Sequence, residues 1–185
     1  MDEYKEDARV PHVSREAFPA ERVDVYDHIM KTRKLEFMAE LFARMANSPG
    51  ALEAVASVGE HVRFHSVFDE VLREMIICTV SKEVGNWYEW THHIHRMPDD
   101  MRAVCGTPEA DNLPAPVGPV LRFSRIVATN GKVDDGLIEE IRAFLGDKGL
   151  VDLTVMVGYY QLVGTFCTTL QVPIEHSIER TPMPD

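Results

Sequence analysis

Apolar residues along this chain recur at helical intervals almost throughout. In residues 21–31 the positions Val23, Tyr26 and Ile29 follow one another at three-residue steps. Residues 35–46 place Leu35, Met38, Leu41, Phe42 and Met45 at steps of three and four, the stripe of an amphipathic helix. Ser48 before Pro49 has the form of an N-cap with proline at the first helical position, and Leu52, Val55, Val58 and Val62 carry that helix toward Phe64. Residues 68–84 repeat the pattern through Val71, Leu72, Met75, Ile76 and Val80, and Gly85 ends it. A further helix is expected over residues 86–97, closed by Pro98, and Asp99 and Asp100 open a short helical turn that stops near Gly106. Residues 107–119 contain Pro108, Pro114, Pro116 and Pro119 and read as a loop. Residues 120–129, 134–146 and 150–170 read as three more helices.

No run shows the two-residue alternation of a strand, and no internal repeat stands out. The pattern predicts an all-α fold. Its domain organisation is an N-terminal arm over residues 1–20, one domain over residues 21–178 and a flexible tail over residues 179–185.

Composition agrees with a globular domain. A chain of 185 residues that is 45% hydrophobic and 26% charged can bury a real core and gives no sign of disorder. The formal charge of −11, with no stripe of Lys and Arg, argues against nucleic acid and anionic membrane surfaces as partners. The first twenty residues carry Asp2, Glu3, Glu6 and Asp7 and lack the basic start and apolar core of a secretory signal, so a cytoplasmic location is expected. The most apolar stretch, residues 150–166, holds Asp152, Gly158 and Gly164 and is short for a bilayer span. A buried helix explains it better. Cys78, Cys105 and Cys167 are scattered and have no Cys-x-x-Cys spacing, which fits reduced thiols. Cys78 and Cys167 sit in apolar helical runs, while Cys105, at a helix end, is the one placed to be an exposed loop thiol.

Candidate chemistry concentrates in residues 74–93, EMIICTVSKEVGNWYEWTHH. A helix beginning near Asn86 sets Glu89 and His93 one turn apart on one face, where a carboxylate can orient an imidazole. On an exposed helix such a pair contributes only about 0.3–0.5 kcal/mol and has no chemical role. Trp87, Tyr88 and Trp90 argue against full solvation here, and Glu74 lies beside the apolar stripe of the preceding helix. A metal centre is the weaker reading. His61 and His65 are an i,i+4 pair and Glu89-x-x-His92 matches half of a di-iron bundle motif, but the second half and any H-E-x-x-H are missing. Of His92, His93 and His95, at most one is expected in the site, with the others on the surface or at an interface. No metal or cofactor is expected.

The same stretch resembles the carboxymuconolactone decarboxylase and alkylhydroperoxidase D superfamily, whose motif runs from a Glu to a Cys-x-x-Cys and then a His. The peroxidase branch has its cysteines twelve and fifteen residues after the Glu and its His nineteen after; counted from Glu74 these positions are Asn86, Glu89 and His93. The Glu and the His are kept, and both cysteines are replaced. Residues 47–74 are similar to the family's lead-in helices, and VDLTVMVGYYQLVGTFCTTLQVPIE, residues 151–175, is similar to its closing helix. The resemblance implies an alkylhydroperoxidase D-like helical bundle, assembled as a homo-oligomer (trimer or hexamer), with Glu74, Glu89 and His93 as the catalytic residues.

A thiol peroxidase needs a thiolate and a resolving thiol, which Asn86 and Glu89 cannot supply. The decarboxylase branch needs no cysteine. The reaction expected is cofactor-free decarboxylation or proton transfer on a small carboxylated lactone or related acid, with His93 as proton donor, Glu89 orienting it and Glu74 completing a relay. Arg96, Arg122 or an Arg of another subunit is expected to hold the anionic substrate. The alternatives are a redox protein using a different cysteine and a non-catalytic helical protein that binds a ligand or a partner.

Overall fold

The computed structural model describes residues 8–184, and within them eight α-helices and three short 3-10 turns form the architecture, with no strand. The α-helices are α1 (Val23–Thr32), α2 (Glu40–Met45), α3 (Pro49–Phe64), α4 (Glu70–Glu83), α5 (Trp87–His93), α6 (Asp99–Val104), α7 (Val117–Ala128) and α8 (Asp135–Leu170). The first seven residues of the expected arm, and Asp185 of the expected tail, lie outside the described residues.

α4 is the central helix, packed against α5, α7 and α8. Its apolar residues Met75, Ile76, Ile77 and Val80 are fully buried, as are Leu153, Met156 and Val157 of α8 and Leu121 of α7. Asp69 caps α4 by accepting a hydrogen bond from the Leu72 N–H at 2.9 Å. Gly85, at φ +68°, turns the chain out of α4 in the left-handed conformation that glycine adopts without steric cost. Asn86 then caps α5 through its side-chain oxygen, which accepts from the Glu89 N–H at 3.3 Å. These two turns fix the direction of α5 relative to α4, and with it the direction of every site residue on α5.

Five expectations are corrected. The helix expected over residues 35–46 is shorter: Lys34 adopts φ +52° and residues 35–39 are irregular, their apolar side chains packing without helical backbone. Ser48 makes no capping hydrogen bond, although Pro49 does open α3. The motif helix stops at His93 and tightens into a 3-10 turn over Ile94–Arg96. The proline-rich loop contains a 3-10 turn, Pro108–Asn112, and α7 begins inside it, with Pro119 tolerated because the first helical turn needs no N–H there. The last two expected helices form one span, α8, broken at Gly146, where φ +65° and ψ −178° leave helical space.

The described residues toward both ends of the chain pack on its own helices. Arg9 N–H donates to the Leu170 carbonyl at 2.9 Å, and Phe18 is buried against Tyr26. The tail, expected to be loose, has partners on α5: Trp90 Nε1–H donates to the Pro182 carbonyl at 3.1 Å, and Arg180 stacks on Trp87 at 3.7 Å. α8 is long and apolar enough by composition to cross a membrane, but half of its most apolar window is buried in this core.

Candidate active site

Glu74, Glu89 and His93 converge. Glu74 projects from the middle of α4 and is fully buried; Glu89 and His93 occupy successive turns of α5 and are 5% and 3% exposed. His93 Nδ1 meets Glu74 Oε2 in a short contact, and His93 Nε2 lies 3.0 Å from Glu89 Oε2. Burial pushes both carboxyls up, but the contacts with His93 outweigh it and hold each below the usual carboxylate range. Both carboxyls are therefore held as carboxylates, one facing each nitrogen of the ring. Glu74 Oε1 makes no hydrogen bond; Arg73 Nη2 stands 3.5 Å away as an ion-pair partner.

A cavity of about 360 Å³ opens beside this trio. Glu89 and His93 border it, whereas Glu74 lies behind the imidazole. Arg33, Arg63, Arg73 and Arg96 line its wall, so a chain of strongly negative net charge gathers four guanidinium groups around one hollow. Arg33 comes from the end of α1, Arg63 from the last turn of α3, Arg73 from α4 and Arg96 from the 3-10 turn after α5. Arg33 donates to the Ala56 carbonyl at 2.9 Å and lies over Phe42, and Arg96 donates to the His92 carbonyl at 2.9 Å. The Nε of Arg63 and of Arg73 is buried with no hydrogen-bond partner among the described residues. Arg73 is already paired with Glu74, whereas Arg33, Arg63 and Arg96 have no carboxylate ion-pair partner among the described residues and suit an incoming anion.

Arg96 stands where it was expected, on the cavity. Arg122 does not: it pairs with Glu140 at 2.7 Å on the surface and is absent from the cavity wall. Arg33, Arg63 and Arg73 were not singled out from the sequence, because they come from three different helices and share no spacing.

A second imidazole borders the cavity, contrary to the expectation of one histidine in the site. His92 stacks on Tyr88 with ring centroids 4.2 Å apart, and its Nε2 lies 2.6 Å from Glu175 Oε2. Glu175 also accepts from the Tyr88 hydroxyl at 2.7 Å and from the Glu40 N–H at 2.9 Å. Burial raises the Glu175 carboxyl, but His92 and these donors bring it down to about 2. Burial lowers the His92 imidazole, and Glu175 more than reverses that. This pair fastens the segment after α8 to α5. His95 contacts Thr181 at 2.8 Å on the exposed side.

Cys105 is buried, not an exposed loop thiol, and Cys78 and Cys167 are buried as their apolar helices suggested. None of the three borders the cavity. Among the described residues no group of three His, Cys, Asp or Glu side chains is arranged to hold a metal ion. At the trio both nitrogens of His93 face carboxylates.

Together these features define an all-α bundle with a carboxylate–imidazole–carboxylate trio set beneath an arginine-lined cavity, and the fold is alkylhydroperoxidase D-like. The chain superposes on a peroxidase-related protein from Silicibacter sp. TM1040 with a TM-score of 0.77 at 15% identity, covering 96% of both chains. It is also similar to an alkylhydroperoxidase AhpD core peroxidase-related protein from Ralstonia eutropha JMP134, with a TM-score of 0.72 at 16% identity over 92% of this chain and 93% of the other. The debrominase Bmp8, in complex with 2,3,4-tribromopyrrole, matches with a TM-score of 0.69 at 13% identity over 93% and 94%. No family model and no curated protein matches the sequence. Likeness at these identities establishes the fold and leaves the reaction to the site.

Proposed function

We propose that this protein is a cofactor-free proton-transfer enzyme acting on a small carboxylate, with decarboxylation of a carboxylated lactone or related acid as the leading reaction. The observation that carries this reading is the buried Glu74–His93–Glu89 trio bordering a cavity walled by four arginines. The arginines hold the substrate's anionic group and offset the charge of the trio. Loss of CO2 breaks a C–C bond and leaves the electron pair on the substrate as an enolate, which then needs a proton at carbon. Glu89, 3.0 Å from His93 Nε2, borders the cavity together with His93. A proton passes from His93 to Glu89 and on to substrate carbon, while Glu74 on the far side keeps the ring oriented.

The fold neighbours include peroxidase-related proteins and a debrominase, which supports catalysis of some kind in this fold. A thiol reaction has no support in the cavity, since the three cysteines lie outside its wall.

Self-association and a cytoplasmic setting belong to the same reading. From Val151 to Thr169 the exposed face of α8 presents Val151, Val155, Gly158, Leu162 and Thr165 and carries no charged side chain. That suits contact with a second copy. The three free thiols suit a reducing compartment.

The test is a panel of small carboxylated lactones and unsaturated acids incubated in D2O and followed by NMR for CO2 loss and deuterium at carbon. Wild-type protein converts at least one member and His93→Gln converts none. Equal conversion by His93→Gln would refute the trio's role, and binding without conversion by wild type would favour a ligand-binding protein.

A further inference from the structure

The sequence pointed to the trio; the structure adds a phenol. Tyr160, from the middle of α8, borders the cavity and stands edge-on to the His93 ring, with centroids 6.1 Å apart and planes at 78°. It is 2% exposed, and its hydroxyl makes no hydrogen bond among the described residues. A phenol in such surroundings ordinarily finds a hydrogen-bond partner. Tyr88 illustrates the rule in the same cavity wall: its hydroxyl is committed to Glu175. Tyr159, the neighbour of Tyr160, is wedged over Gly59, where even an added Cβ would fall 2.3 Å from the Tyr159 hydroxyl. Tyr159 and Tyr160 both border the cavity without a hydrogen-bond partner for the hydroxyl among the described residues, and of the two it is Tyr160 that stands against the His93 ring of the proton-transfer trio.

We infer that Tyr160 donates a hydrogen bond to the oxyanion that develops on the substrate. This deepens the proposed function and rests on it. In that reaction the electron pair released by C–C cleavage moves onto a carbonyl oxygen, and a fixed neutral donor lowers the barrier only if it meets that oxygen. Burial, together with the nearby Glu89 charge, pushes the Tyr160 phenol well above its ordinary range, so it keeps its proton. The division of labour follows: arginines hold the carboxylate, Tyr160 meets the oxyanion, and Glu89 with His93 serves the carbon.

The test uses two probe anions on intact protein. Benzoate offers a carboxylate alone. 4-Hydroxy-3-nitrobenzoate, above the pKa of its phenol, adds an oxyanion at the opposite end of the ring and reports its own ionisation by absorbance. Tyr160→Phe keeps the ring and removes the donor. The expected result is that Tyr160→Phe binds benzoate as wild type does but loses about tenfold or more in affinity for the nitrophenolate, a loss of the size that one hydrogen bond to a charged group supplies. Equal affinity of the two proteins for the nitrophenolate, or an equal loss for both probes, overturns the role of Tyr160. If wild type binds neither anion, the arginine-lined substrate site of the proposed function fails first, and this inference falls with it.

Discussion

At the residue scale, the central fact is that one imidazole separates two buried carboxylates. Removing it leaves those charges facing each other without a cation. Breaking a buried ion pair costs about 3–5 kcal/mol, so His93→Ala is expected to lower the urea midpoint substantially near neutral pH. The sign of the pH dependence follows from the directions of the shifts. In wild type Glu74 and Glu89 lie below their ordinary range, so their stabilisation is present above about pH 4.5 and is lost as pH falls through their folded values. In His93→Ala the same groups, buried and mutually repelling, favour protonation, and the variant gains as pH falls. The gap between the two proteins narrows with acid; a gap constant in pH would contradict the ion-pair account. Arg63, with no carboxylate partner among the described residues, is expected to yield in Arg63→Ala a protein of near wild-type stability that binds benzoate at least tenfold more weakly, read by calorimetry.

At the element scale, two joints decide where the site sits. Gly146 breaks α8 with a backbone conformation that essentially only glycine adopts, although a Cβ there would meet no atom within 4 Å. Gly146→Ala is expected to cost about 1–3 kcal/mol through backbone strain alone, measured by chemical denaturation. A neutral substitution would mean that the helix runs straight. The second joint is the Glu175–His92 pair. Glu175, at about 2 against an ordinary 4.5, stabilises fully above 4.5 and loses that contribution as pH falls toward 2. His92, raised above 6.5, contributes below 6.5 and loses its share as pH rises through its folded value. Glu175→Gln is expected to flatten the acid limb of the stability profile and to make residues 171–184 more open to proteolysis.

The helices were legible because amphipathic spacing, glycine stops and proline starts are local signals. Gly85, Pro49 and the stripe of α4 all hold in the structure. Residues 35–39 misled because Leu35 and Met38 bury their side chains without helical backbone. The hold on Thr181 and Pro182 left no periodic trace, since it consists of single hydrogen bonds to α5. Glu89 and His93 could be paired by counting one turn along a helix, and Glu74 joined them only through the motif spacing. Arg96 was named from the sequence, whereas Arg33, Arg63, Arg73 and Tyr160 needed the fold, which draws them from four separate elements.

At the scale of the whole molecule, charge is segregated. A chain with net charge −11 keeps guanidinium groups on one cavity and leaves one long helix face uncharged. If that face joins copies of the chain, placing charge on it separates them. Val155→Lys combined with Leu162→Lys is expected to convert an oligomer into a monomer by light scattering, with secondary structure kept, since both residues are exposed in the single chain. Wild type already monomeric, or a double variant that stays associated, would remove α8 as the contact.

The most direct measurement is nitrogen NMR of the His93 ring in protein labelled at histidine. Nδ1 and Nε2 each face a carboxylate, and of the two carboxylates it is Glu89, on the Nε2 side, that borders the cavity. The account predicts that both nitrogen signals are shielded from exchange with water and that Nε2 changes more than Nδ1 when benzoate fills the cavity. Signals that ignore the anion, or that change more at Nδ1, would contradict it.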